Sequence, residues 1–158
     1  MKNDPRPAAP APSGSTRKPY YLHWFHADPF ARVVVLVVGD YKASFKKLDR
    51  TFRDKSSPPK DRKLFSDGIA KVLEKNPPMG DLKLCGRTIH KDLDIFMWFP
   101  VFPTPGTLAH ELEHAKDYIL TSAGVADENG ETDAYLIGQM YDHFFNALER
   151  DKEEEQKE

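Results

Sequence analysis

The string HELEH at residues 110–114 limits the fold of this chain more than any other part of its sequence. It lies in a segment that begins with Thr104 and Pro105, which are typical of an N-cap and a first helical position. Gly124 is typical of the residue just past a helix C-terminus. We therefore predict a helix that begins at Pro105 and ends at about residue 123. On such a helix, residues four apart share one face, with Cβ atoms about 5–6 Å apart.

Two imidazoles at this spacing can bind a single ion, because zinc–nitrogen bonds are about 2.0–2.1 Å long. We therefore predict that His110 and His114 are metal ligands. Glu111 follows His110 by about 100° around the helix. From there its carboxylate can take a proton from a water that the metal activates. The H-E-x-x-H string is typical of metal-dependent hydrolases in which this Glu is the general base.

The third metal ligand is less sharply specified than the histidine pair, because a catalytic zinc site usually has three protein ligands. The candidates are the acidic residues that lie nearest downstream of the string: Asp117, Asp127, Glu128, Glu131 and Asp133. A second apolar-periodic stretch begins at Glu131, after a short polar turn. An antiparallel return of this second helix would bring its first turn beside the first helix. We favour Glu131 as the third ligand, with Glu128 and Asp117 as alternatives.

The spacing of these residues resembles the gluzincin type of metallopeptidase, in which HExxH is followed by a Glu on the next helix. The chain is also similar to short phage- and prophage-type zincin-like proteins, which share HExxHA, an apolar helix, a Gly-Val/Ile turn and E-x-x-A-Y-L. The matching segments are His110–Ala115, Tyr118–Leu120, Gly124–Val125 and Glu131–Leu136. The resemblance covers residues 95–145. It implies one zinc ion held by His110, His114 and Glu131, with Glu111 as general base.

The chain departs from that family pattern at three positions. Glu113 stands where an uncharged residue is usual, Leu120 where the metzincin spacing would place a third His, and Tyr135 where gluzincins often have an Asp. Tyr135 is four residues after Glu131 and therefore shares its face. We predict that Tyr135 donates a hydrogen bond to the oxyanion that forms during hydrolysis, with Tyr141 and His143 as alternatives.

The rest of the sequence indicates an α+β fold with a small mixed sheet and about four helices, and the resemblance implies that this fold is zincin-like. Strands are predicted at 31–39, 82–90 and 94–99, and helices at 41–52, 61–75, 105–123 and 131–150. In zincin-type proteins the strand before the HExxH helix commonly lies at the sheet edge, where Trp98 and Phe99 would border a groove or pack in the core. The aromatic segment Tyr20–Phe30 is predicted to pack over the domain, with Trp24 and Phe25 in the core.

Length and composition favour one domain in a reducing compartment. The 158 residues suit a domain at 19–150, preceded by a disordered Pro/Ala/Ser-rich tail at 1–18 and followed by a charged tail at 151–158. Cys85 is alone, so no internal disulfide forms. No apolar run approaches the about 20 residues that span a bilayer, and no secretion signal is visible. We expect a cytoplasmic protein.

These observations lead to two functional hypotheses. The first is a zinc-dependent metallopeptidase whose partner is a peptide or protein substrate. The alternative is a non-catalytic zincin-like metal-binding module that binds a partner protein. Neither nucleic acid nor membrane is predicted as a partner, because the formal net charge of −2 gives no general attraction to polyanions.

Overall fold

A mixed four-stranded sheet with helices on both faces forms the centre of the molecule. The computed structural model of the chain describes residues 18–51, 71–72, 74, 86–91, 94–126 and 130–157. Within these ranges the elements are β1 (Tyr20–Ala27), β2 (Arg32–Gly39), α1 (Tyr41–Thr51), β3 (Arg87–Lys91), β4 (Asp94–Phe99), α2 (Pro105–Ala123) and α3 (Glu131–Glu155). The predicted α+β class is confirmed. The predicted helix at 61–75 and the start of the predicted strand at 82–90 fall largely outside the described residues.

The strand order is β1-β2-β4-β3, with β2 and β4 parallel and both outer pairs antiparallel. Strand β2 is a run of apolar residues. Because successive side chains of a strand point in opposite directions, both of its faces are apolar. Val34, Leu36 and Val38 belong to the core that α2 and α3 cover. Val35 and Val37 belong to the smaller core beneath α1. A β-branched run buried on both sides is what a central strand requires.

The aromatic segment at residues 20–27 is a strand of the sheet, which corrects the prediction that it packs over the domain. It pairs with β2 along its whole length, from Tyr20 opposite Gly39 to Ala27 opposite Arg32. Alternation then places Tyr21 and Phe25 against the core under α3. Trp24 points the other way and is 36 % exposed, so its predicted core position was wrong. The described part of the chain therefore forms four strands where the sequence predicted three.

Strand β4 is an inner strand of the sheet, and this corrects the expectation that the strand before the HExxH helix forms the edge. Among the described strands the edge on this side is β3. Phe99 is fully buried under α2 and α3. Trp98 points to the opposite face, where its Nε1 donates to the Gly39 carbonyl at 2.8 Å. Both rings pack in the interior, so neither borders a groove.

Helix α2 begins and ends where the sequence predicts. The Thr104 hydroxyl accepts a hydrogen bond from the Thr107 amide, and Pro105 occupies the first turn. Gly124 adopts the left-handed conformation at φ 67°, which a glycine accepts without strain. Helix α3 begins at Glu131 and extends to Glu155, five residues past its predicted end. None of the described helices has the length and apolar character that a membrane span requires.

Candidate metal centre

The packing of α2 determines which of its residues face outward. Leu112, Ala115 and Ile119 are completely buried against the sheet. His110 and His114 lie on another side of the helix and are exposed. The amphipathic period of the sequence is sufficient to produce this orientation, because an apolar stripe at three- and four-residue spacing must face the core.

The two imidazoles converge. Their Nε2 atoms are 3.3 Å apart, and the rings are nearly perpendicular, at 84° with centroids 4.7 Å apart. At this separation one of the two ring nitrogens donates a hydrogen bond to the other. Two nitrogen ligands of a tetrahedral ion, each about 2.0–2.1 Å from it, are about 3.3–3.4 Å apart. The pair is thus spaced to occupy two positions of a tetrahedral zinc site.

Glu111 lies beside this pair but is only 6 % exposed. Its carboxylate oxygen Oε2 accepts a hydrogen bond from the Thr88 hydroxyl at 2.6 Å. Thr88 belongs to the edge strand β3, which runs alongside α2. Gly86 precedes this strand, and a Cβ placed there would lie 3.1 Å from Glu111 Cγ and 2.6 Å from the Phe99 ring. The backbone at Gly86 therefore approaches the stem of Glu111 closely.

A pocket of about 560 Å³ opens between α2 and β3. Its lining includes Glu111 and His114, as well as Asp117 one turn farther along α2. His90 of β3 also lines it, and the His90 ring stacks flat on Tyr118 with centroids 3.9 Å apart and planes at 13°. The predicted general base and one predicted metal ligand therefore share a pocket with two aromatic side chains.

Lys116 connects α2 to the first turn of α3. This lysine is 8 % exposed, and its Nζ lies 2.6 Å from Glu113, 3.1 Å from Asp117 and 2.9 Å from Asp133. The hydrogen bond with Glu113, supported by those with Asp133 and Asp117, raises the pKa of Lys116 well above its usual range and outweighs the effect of burial. Lys116 thus neutralises two of the acids that the sequence offered as metal ligands.

Glu131, the predicted third ligand, is exposed in the first turn of α3. Residues two apart on a helix point about 200° from each other. Because Asp133 faces Lys116, Glu131 faces the other way. Within the described ranges, no three His, Cys, Asp or Glu side chains are grouped closely enough to hold an ion. The alternative ligand Glu128 lies outside these ranges, as does Asp127.

Tyr135, the predicted oxyanion donor, lines a different pocket. This second pocket, of about 540 Å³, lies between β1 and α3, and Tyr135 is 66 % exposed there. The Tyr135 hydroxyl accepts a hydrogen bond from Gln139 Nε2 at 2.6 Å. His143, one of the alternative donors, lines the same pocket, and its Nε2 donates to the Trp24 carbonyl at 2.9 Å. The sequence spacing from Glu131 therefore does not bring Tyr135 into the pocket that Glu111 lines.

Our predictions did not include three residues of the site: Thr88, His90 and Gly86. A weak signal for two of them exists in the strand RTIHK at residues 87–91, where Thr88 and His90 flank the apolar Ile89. Alternation predicts that such polar residues share the face opposite Ile89. Nothing in that pattern indicates which helix this face meets.

Comparisons of the chain with protein-family models, with curated proteins and with solved structures gave no match. The interpretation of the site therefore depends on its own geometry and on the residues of its motif.

Proposed function

We propose that this protein is a metal-dependent hydrolase of peptide bonds, with its metal centre on α2. The observation that carries the proposal is the 3.3 Å separation of the His110 and His114 Nε2 atoms beside the buried Glu111. Two neutral imidazoles and a carboxylate form a donor set that suits zinc, and catalytic zinc sites commonly use it. Structural zinc sites, in contrast, usually close all four positions with protein ligands.

Glu131 is the third ligand that we propose. Of the candidate acids in the described part of the chain, Asp117 and Asp133 are bound to Lys116. Glu131 is exposed and makes no hydrogen bond or ion pair with any other described residue. Among the described residues, a metal would therefore displace no existing contact of this carboxylate. Glu128 is the alternative, as in the sequence-based prediction.

A divalent ion held by His110, His114 and Glu131 would lower the pKa of a water molecule and polarise a carbonyl group. The role of Glu111 is to take a proton from the attacking water onto its carboxylate and to deliver it to the leaving amine nitrogen. Burial limits the access of bulk water to this carboxylate, which keeps its interactions strong. His90 and Tyr118 line the same pocket and are the proposed donors to the oxyanion, in place of Tyr135.

An extended peptide can bind along the pocket by pairing with the edge strand β3. Backbone N–H and C=O groups at a sheet edge can pair with a peptide that adds as a further strand. Such pairing would align a scissile bond beside Glu111, which Thr88 of the same strand contacts. A peptide or protein is therefore the substrate class that we propose.

The test compares wild-type protein with Glu111→Gln in zinc content and in the hydrolysis of a mixed peptide library. We expect one zinc per chain in both proteins. Turnover should fall by about 10²–10⁴-fold in Glu111→Gln, because that range is typical for the loss of a general base. Glu153→Gln is the matched control, since Glu153 lies on the exposed side of α3 and should retain full turnover.

Three results would count against the proposal in different ways. Wild-type protein that binds one zinc but hydrolyses no peptide would support the alternative hypothesis, a metal-binding module with a partner protein. Wild-type protein that binds no zinc would remove both hypotheses. Equal turnover in wild type and Glu111→Gln would assign any hydrolysis to a contaminant or to another site.

A further inference from the structure

The edge strand β3 directs two polar side chains at α2. Ile89 between them is buried in the core beneath α1. Because side chains alternate along a strand, Thr88 and His90 point to the opposite face. Thr88 contacts Glu111 there, and His90 stacks on Tyr118. The strand therefore contacts α2 at the predicted general base and again about two turns farther along the helix.

The Thr88 hydroxyl has two acceptors within reach, and both belong to Glu111. Its Oγ1 is 2.6 Å from carboxylate Oε2 and 3.2 Å from the backbone carbonyl oxygen of the same residue. A hydroxyl carries one proton, so it donates to the nearer and charged acceptor. This bond occupies one carboxylate oxygen and leaves Oε1 as the oxygen that can receive a proton from a water.

Glu111 is held at two points along its side chain. The backbone at Gly86 restricts the stem, because a Cβ at that position would come within 3.1 Å of Glu111 Cγ. The Thr88 hydroxyl holds the carboxylate by a hydrogen bond, and Thr88 is the polar partner of this carboxylate among the described residues. A free Glu side chain loses rotamer entropy when it is fixed. In the folded protein, much of the rotamer entropy of Glu111 is already lost before any substrate binds.

We propose that Thr88 is a positioning residue, whose hydroxyl fixes the Glu111 carboxylate in the orientation in which it acts as general base. This inference rests on the proposed function. It extends that function, because β3, the strand that would bind the peptide, would also orient the general base Glu111. The hydroxyl, and not the bulk of the side chain, is the group that performs this role.

Thr88→Val and Thr88→Ser separate these two contributions. Valine keeps the shape and removes the hydroxyl, so kcat should fall by about 10–100-fold through misplacement of the carboxylate. KM, zinc content and the thermal unfolding midpoint should stay close to those of wild type. Serine keeps the hydroxyl and should restore kcat to within a few fold. Thr132→Val on α3 is the matched control and should behave as wild type.

A second measurement uses the metal-free protein and does not depend on turnover. A hydroxyl proton that is held by a buried carboxylate exchanges slowly with water, so the Thr88 hydroxyl should give an NMR resonance with a nuclear Overhauser contact to the Glu111 side chain. The Glu111→Ala variant should lose this resonance. A Thr88 hydroxyl that exchanges freely in wild-type protein would overturn the inference.

The outcomes distinguish the inference from the proposed function. Turnover in wild type that is unchanged in Thr88→Val overturns the role of Thr88 and leaves the hydrolase proposal standing. A loss of kcat that serine does not restore also overturns it, because the effect would then come from packing. Absence of turnover in wild type overturns the proposed function, and the catalytic role of Thr88 with it, even where the resonance shows the hydrogen bond intact.

Discussion

The two ends of the sheet carry pockets of nearly equal size and similar composition, yet only one has converging ligands among the residues that the structure describes. The pocket at β3 has a volume of about 560 Å³ and the pocket at β1 about 540 Å³. Each is lined by histidines and carboxylates. At β3, His110 and His114 are four residues apart on one helix and their Nε2 atoms meet at 3.3 Å. At β1, the two histidines come from different elements.

The difference shows that two pockets with the same kinds of side chain can arrange their histidines in different ways. In the pocket at β1, His26 is on the strand and His143 is on α3, and the Nε2 of His143 is already used by the Trp24 carbonyl. A histidine that donates to a backbone carbonyl has one nitrogen left for another partner. What distinguishes the pocket at β3 is that one of its histidines, His114, belongs to an i, i+4 pair with His110, and the Nε2 atoms of this pair lie 3.3 Å apart.

The largest expected effect is on zinc affinity, and it tests the comparison directly. His114→Ala should weaken zinc binding by more than about 100-fold, because even the loss of an outer-sphere partner costs about 10–100-fold. His110→Ala should have the same effect. His143→Ala, at the other pocket, should leave the affinity within a few fold of wild type. Competition with a chromogenic chelator measures all three. Equal weakening by His143→Ala would move the metal centre to the β1 pocket.

A smaller effect is expected at Gly86, where the backbone approaches the buried Glu111 and Phe99. A Cβ at Gly86 would lie 2.6 Å from the Phe99 ring, which is completely buried and cannot move freely. Gly86→Ala should therefore lower the free energy of unfolding by about 1–3 kcal/mol, as is typical of overpacking. Urea unfolding measures this change. Gly106→Ala is the control, since nothing lies within 4 Å of a Cβ at that position. A neutral Gly86→Ala would mean that the strand can move away from α2.

The smallest effect is expected at Gly138, on the helix that borders the β1 pocket. Gly138 is in the interior of α3, and a Cβ added there would have no described atom of a neighbouring group within 4 Å. Gly138→Ala should raise the free energy of unfolding by about 0.5–1 kcal/mol, because alanine is the better helix former. Thermal or urea unfolding measures this gain. A loss of stability would show that another group lies too close to Gly138 to allow a side chain there, as at Gly86.

The position of β1 in the sheet illustrates where prediction from the sequence failed. Residues 20–27 read YYLHWFHA, a run in which aromatic and polar side chains give no clean period-2 pattern. The strand is recognisable only from its pairing with β2, in which every residue from Tyr20 to Ala27 has a partner. In α3, Ala134 is exposed, whereas Leu136 and Met140 are buried. Packing against α2 selected that face of the helix, and the sequence period alone allowed a neighbouring one.

The local sequence alone determined α2 and its histidine pair. Caps, apolar stripe and four-residue spacing act over a few residues, so the helix from Pro105 to Ala123 and its caps at Thr104 and Gly124 were predicted correctly. The same spacing predicted that His110 and His114 lie close together on one face. The tertiary structure decided what surrounds that face. Thr88 and Glu111 are separated by 23 residues, and their contact depends on β3 lying at the sheet edge. Strand order is set by which surfaces bury each other, and no short-range periodicity encodes it.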